Sequence, residues 1–163
     1  MNGRSPPVRW FGALSAHTPG PQDEAFLAAL YLACRTDLGA LPVPRSVVGG
    51  IARHQQGQRD ADYAQRYPGA QSWLLEEAGR AVGWVLLAQG AQGVRVVDLA
   101  VDAGQRRKGV ARAVLRALQG EEARIALRVR ANNARARALY ASLGFVIVQD
   151  QGDVLELVWN SHL

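Results

Sequence analysis

The segment Asp102-Ala103-Gly104-Gln105-Arg106-Arg107-Lys108-Gly109-Val110-Ala111 constrains this chain more than any other. Before it runs Val94–Val101, apolar enough and alternating enough to read as a strand. After it, Ala111, Val114, Leu115 and Leu118 recur at the spacing of one helix side over Val110–Leu118. A loop that opens a helix presents unpaired backbone N–H groups, and the helix dipole adds partial positive charge there. Gly109 lets a ligand approach the backbone closely, and Ala111 is small enough to do nearly the same. Arg106, Arg107 and Lys108 add formal charge, so the spacing predicts a cradle for a diphosphate.

Neither common nucleotide signature is present. There is no G-x-x-x-x-G-K-[ST], and no G-x-G-x-x-G followed by an acidic ribose ligand. The basic loop also follows a late strand, not the first one. ATPase and dinucleotide readings lose their main support.

The flanking sequence predicts a mixed α/β domain around one sheet, in the order β-α-α-β-β-β-α-β-α-β-β. Val8–Ser15 reads as a first strand, and Phe26, Leu27, Leu30, Tyr31 and Cys34 as the apolar stripe of a first helix, with Cys34 in the core. Residues 46–67 form a more polar helix. Ser72–Glu76 and Ala81–Ala88 flank the hairpin turn Ala78-Gly79-Arg80. Ile125–Arg130 is a strand, Ala134–Leu143 a helix stopped by Gly144, and Phe145–Gln149 with Val154–Trp159 a closing hairpin.

Composition bounds the alternatives. A chain of 163 residues with 48% hydrophobic content can bury one core, so one domain is expected over residues 1–163, its core over 8–159. One cysteine excludes a disulfide framework, and three scattered histidines (His17, His54, His162) offer no metal cluster. No run is long enough to span a membrane. Arg4 and Arg9 before Trp10–Ala16 faintly resemble a signal peptide, but the apolar run is short, so a cytoplasmic protein is expected. Residues 95–137 hold 11 basic and 4 acidic side chains, a local positive field that suits an anionic ligand. No aromatic-interleaved basic strand or recognition helix accompanies it, so nucleic acid is not the expected partner. Lys108 is the only lysine among 19 basic residues, a bias that suggests a GC-rich bacterial source.

At this point the residues resemble the GCN5-related N-acetyltransferases, the GNAT family. Arg106-Arg107-Lys108-Gly109-Val110-Ala111 matches the family's [QR]-x-x-G-x-[GA] between a strand and a helix. Asn133-Ala134-Arg135-Ala136-Arg137-Ala138-Leu139-Tyr140-Ala141-Ser142-Leu143-Gly144-Phe145 matches its second signature, N-x-x-A-x-x-L-Y-x-x-x-G-F, in the right order and at the usual separation. The resemblance implies a single mixed, mostly antiparallel sheet with a splayed central strand pair, and an acetyl transfer from acetyl-CoA to an amine without a metal. It implies that Leu99, Ala100 and Val101 pair with the pantetheine arm. It also implies that the backbone of Arg106, Arg107, Lys108, Gly109, Val110, Ala111 and Arg112 holds the pyrophosphate and that Asn133 bonds the cofactor. Tyr140 would be the general acid that protonates the leaving thiolate.

The residues themselves leave alternatives open. Tyr140 could pack near Leu139 and Phe145, and Asn133 could be a plain helix N-cap. Asp98 is the local candidate for general base. By alternation it shares a face with Val96 and Ala100 unless a bulge intervenes, and it could instead pair with Arg95 or Arg128. His54, Gln55, Gln56, Tyr63 and Tyr67 fall where the family shapes its acceptor site. Family members that modify ribosomal-protein N-termini carry a glutamate where Arg128 stands, which weakens that reading. A non-catalytic acyl-CoA sensor is the other alternative. An amine acceptor and a homodimer paired through an exposed strand edge are the partners expected.

Overall fold

The computed structural model describes residues 7–162; Arg4, the first arginine of the leader-like stretch, lies outside them. One eight-stranded sheet runs in the order β1-β2-β3-β4-β5-β6-β8-β7. Its strands are β1 (Val8–Phe11), β2 (Leu14–His17), β3 (Gln71–Glu77), β4 (Arg80–Gly90), β5 (Gly93–Val101), β6 (Arg124–Arg130), β7 (Val146–Asp150) and β8 (Val154–Asn160). Every neighbouring pair is antiparallel except β5 and β6.

Helices cover both faces. On one lie α1 (Glu24–Ala33), the single turn α2 (Thr36–Gly39) and α3 (Arg45–Arg66). Tyr31, Leu38, Val48 and Ala52 join these three to one another, and Leu30 packs on Trp84 and Leu86 of the sheet. On the other face lies α4 (Val110–Glu121), which buries Val110, Val114, Leu115 and Leu118 in the main core with Phe11, Leu75, Val85, Ile125 and Leu127. Burial of such side chains contributes about 1.5–3 kcal/mol each. Helix α5 (Ala134–Ser142) follows β6 and ends at Leu143-Gly144, the glycine at φ +85°.

Three expectations are corrected. The predicted first strand, Val8–Ser15, is a hairpin: Gly12 at φ +62° turns the chain so that Phe11 pairs with Leu14, and two short strands replace one. Cys34 is not a core residue but the exposed cap residue ending α1, because the stripe it continues runs out with the helix. Ala111 is only half-buried; Val110 takes the core position instead.

Strands β5 and β6 are paired only from Val94 to Val96, opposite Ile125 to Leu127. Beyond Val96 they diverge while β5 stays paired with β4 up to Val101. The sheet therefore opens a cleft at its centre, which is the splayed pair expected. No described helix is long and apolar enough to cross a membrane.

Candidate active site

The cleft takes its shape from a bulge. Leu86 of β4 pairs with Asp98 and Leu87 with Val96, leaving Val97 unopposed on β5. An extra residue reverses the side on which the following side chains stand. Val96 therefore faces the α4 core, while Asp98 and Ala100 face α1 and α3. The alternation that put Asp98 beside Val96 is broken at Val97.

Asp98 meets α3 on that face. The Tyr63 hydroxyl donates to its Oδ2 at 3.0 Å, and the Arg59 guanidinium stands 3.6 Å away. Arg59 is itself held over the rings of Tyr31 (4.8 Å), Trp84 (4.9 Å) and Tyr63 (5.7 Å). Burial pushes the Asp98 carboxyl above its ordinary value, and Arg59 and the Tyr63 hydroxyl offset that only in part. The expected alternative partners, Arg95 and Arg128, are engaged elsewhere. Both bond Glu156 of β8, Arg128 through Nε at 2.7 Å. Burial raises the Glu156 carboxyl, but the two guanidinium bonds outweigh it and hold the group below its ordinary value.

Across the cleft stand Tyr140 and Asn133, from α5 and its cap. The Tyr140 ring lies 5.8 Å from that of Phe145, so the packing foreseen for it exists, yet the residue also lines the cleft. Burial and the Asp98 charge raise its phenol, which keeps the hydroxyl protonated and able to donate. Asn133 is the N-cap: its Oδ1 accepts from the Ala136 N–H at 3.1 Å, and the residue also lines the cleft.

The cleft, about 920 Å³, continues into a groove of about 570 Å³ at the N-terminus of α4. Cys34, Leu99, Ala100, Asn133 and Ala136 line both. Gly109 caps α4 in the left-handed conformation (φ +83°) with no side chain to bond the first-turn N–H groups, which are left for a ligand. Arg107 also adopts a positive φ, +64°, where a side chain is strained. Val101, Gln105, Arg106, Arg107, Gly109, Val110, Ala111 and Arg112 all line the groove; Lys108 is not among them but donates to the Gln105 Oε1 at 3.4 Å. Arg106 reaches back to the Val101 carbonyl at 3.3 Å and to Ala33 at the end of α1, fixing the loop against that helix. The chemistry of this groove, open backbone donors ringed by guanidinium groups, fits a diphosphate.

Of the α3 residues singled out earlier, Gln56, Tyr63 and Tyr67 line the cleft, whereas His54 is exposed outside it. Sequence reading missed Arg59, Asp60, Trp84, Arg130 and Glu156. Gln56, Arg59, Asp60, Tyr63 and Tyr67 recur at helical spacing, and that polar-aromatic stripe was the available signal. Nothing local marked Glu156, whose partners lie on two other strands.

This combination of a bulged, splayed sheet and a basic loop capping a helix is the fold of an acetyltransferase family. The sequence profile described as "Acetyltransferase (GNAT) family" matches residues 41–145, and the chain belongs to that family. No curated protein sequence matches the chain. Among solved structures, it is similar to an acetyltransferase from Thermus thermophilus (19% identity, 93% of this chain and 99% of that one, TM-score 0.67). It is similar to the PaiA N-acetyltransferase from Thermoplasma acidophilum, in complex with coenzyme A (11% identity, 91% and 99%, TM-score 0.64). A third is the ribosomal-protein-S18-alanine N-acetyltransferase from Escherichia coli (21% identity, 92% and 95%, TM-score 0.59). At these identities the likeness is one of fold.

Proposed function

We propose that the protein transfers an acetyl group from acetyl-CoA to a primary amine of a small molecule or peptide. The observation that carries this is the junction of cleft and groove. A diphosphate cradle at α4 leads directly to Asp98 and Tyr140, with the unpaired edge of β5 between them.

Acetyl-CoA supplies an activated thioester. In this reading the first-turn N–H groups of α4, with Arg106, Arg107 and Arg112, bind its diphosphate, and Lys108 adds charge nearby. The backbone of Leu99, Ala100 and Val101, unpaired on the β6 side, bonds the pantetheine arm, and the Asn133 NH2 group adds a contact. Asp98 accepts the proton lost by the attacking amine, directly or through a water. As the C–N bond forms and the C–S bond breaks, Tyr140 passes its hydroxyl proton to the departing sulfur. Backbone N–H groups of β5 stabilise charge on the carbonyl oxygen. Positioning does much of the remainder.

In this reading the reaction takes place in the cytoplasm. A second copy of the chain is the protein partner in this reading, paired through β7, the sheet edge that exposes Val146, Ile147 and Val148.

The test is a thermal-shift titration with acetyl-CoA, CoA, ATP and NAD, followed by thiol release in the presence of amines. A ligand that binds only the folded state raises Tm by mass action. A shift confined to the two CoA species and amine-dependent thiol release are expected. No shift with either CoA species sinks the enzyme reading, and binding without release from any amine favours a sensor.

A further inference from the structure

The cleft carries more positive charge than the proposed reaction uses. Arg35, Arg59, Arg128 and Arg130 line it, against only Asp60 and Asp98. Arg35 is engaged by Asp37, and Arg59 by Asp60 and Asp98. Arg128 and Arg130 differ. They stand two apart on β6, alternating with the buried Leu127 and Val129 of the α4 core, so both project from the face that Asp98 also occupies. Arg128 uses only Nε toward Glu156, and the Arg130 side chain has no ion-pair or hydrogen-bond partner among the described residues. The groove at α4 has its own guanidinium groups for the phosphates of CoA, on Arg106, Arg107, Arg112 and Arg135.

From this we infer that the acceptor is an amine bearing its own anionic group, a carboxylate or a phosphate, which Arg130 binds with the free nitrogens of Arg128. A guanidinium presents paired donors that match either oxyanion. The same charges repel a diamine or a lysine-rich tail, and disfavour the ammonium form of the bound acceptor. The neutral amine that attack requires is thereby favoured. This inference rests on the acetyl-transfer reading and narrows its substrate class.

Matched acceptors test it. Thiol release from acetyl-CoA is measured with leucine against leucinamide and with O-phosphoethanolamine against ethanolamine, so the two oxyanions are separated. Calorimetry in parallel compares N-acetyl-leucine with N-acetyl-leucinamide on the CoA complex. We expect the anionic member of at least one pair to be preferred by about tenfold in kcat/KM or in affinity, the worth of one charge-assisted contact. Arg130→Gln should remove most of that preference, Arg130→Lys should restore part of it, and acetyl-CoA affinity should hold in both. Equal use of both members, preference for the uncharged one, or no binding of either product overturns the anion site. Acetyl-CoA binding, followed by thermal shift on the same samples, separates the readings. If it binds and the anion gives no advantage, acetyl transfer stands and the anion site falls; if it does not bind, both fall.

Discussion

Asp98 and Tyr140 face each other across the cleft with opposite tasks, and burial raises both. For a phenol that must donate, the shift keeps the proton in place at neutral pH; for a carboxylate that must accept, it brings basicity closer to that of an amine. Tyr140→Phe should therefore lower kcat by about 10²–10⁴-fold while acetyl-CoA affinity changes little. Equal loss of both, in a folded variant, would remove Tyr140 from the acid role. Asp98 gains activity as it loses its proton, so the rate should climb with pH along a limb lying above the ordinary carboxylate value of 3.8. Asp98→Asn should abolish that limb and leave only the one set by the acceptor amine; an unchanged pH profile would show that Asp98 is not the base.

Three strands meet at Glu156. It lies opposite Arg128 across the β6–β8 pair and also reaches Arg95 on β5, just before β5 and β6 part. The acid thus ties the strands together at the mouth of the splay, a cross-strand role on the sheet surface. Its side chain is 12% exposed, but Arg95 and Arg128 are 27% and 46% exposed, so solvent screens the pair. Glu156→Gln should cost about 1 kcal/mol at neutral pH. Because the folded carboxyl lies below its ordinary value of 4.5, this stability is fully present above that pH. It disappears as the pH falls through the folded value. Denaturant midpoints of the two proteins should therefore differ at pH 7 and converge in acid; a constant difference would assign the effect to packing.

At the scale of the molecule the sheet has two unequal ends. Strand β1 exposes Val8 and Trp10, whereas every residue of β7 is exposed, with Val146, Ile147 and Val148 in succession. A free edge with apolar side chains on both faces is a template for another strand, and two copies related by a two-fold axis satisfy each other. Sedimentation should show a dimer that Ile147→Lys converts to monomer without loss of acetyl-CoA binding. A wild-type monomer at high concentration would refute the pairing.

The longer helices and strands were legible because apolar periodicity is a local property, whereas the opening hairpin at Gly12 and the single turn α2 are too short to show a period. The two signature segments were legible for a similar reason. A loop entering a helix makes an anion site from consecutive residues, so Arg106 to Arg112 can be read in one line. What depends on chain segments far apart was not. The bulge at Val97 arises from the pairing of β5 with β4, and it alone turns Asp98 toward Tyr63 and Arg59. Glu156 took the arginines expected for Asp98 because strand order set β8 beside β6, and the divergence of β5 from β6 opened the cleft that the Arg130 side chain lines. Local chemistry determined which residues could act, and long-range register decided which of them meet.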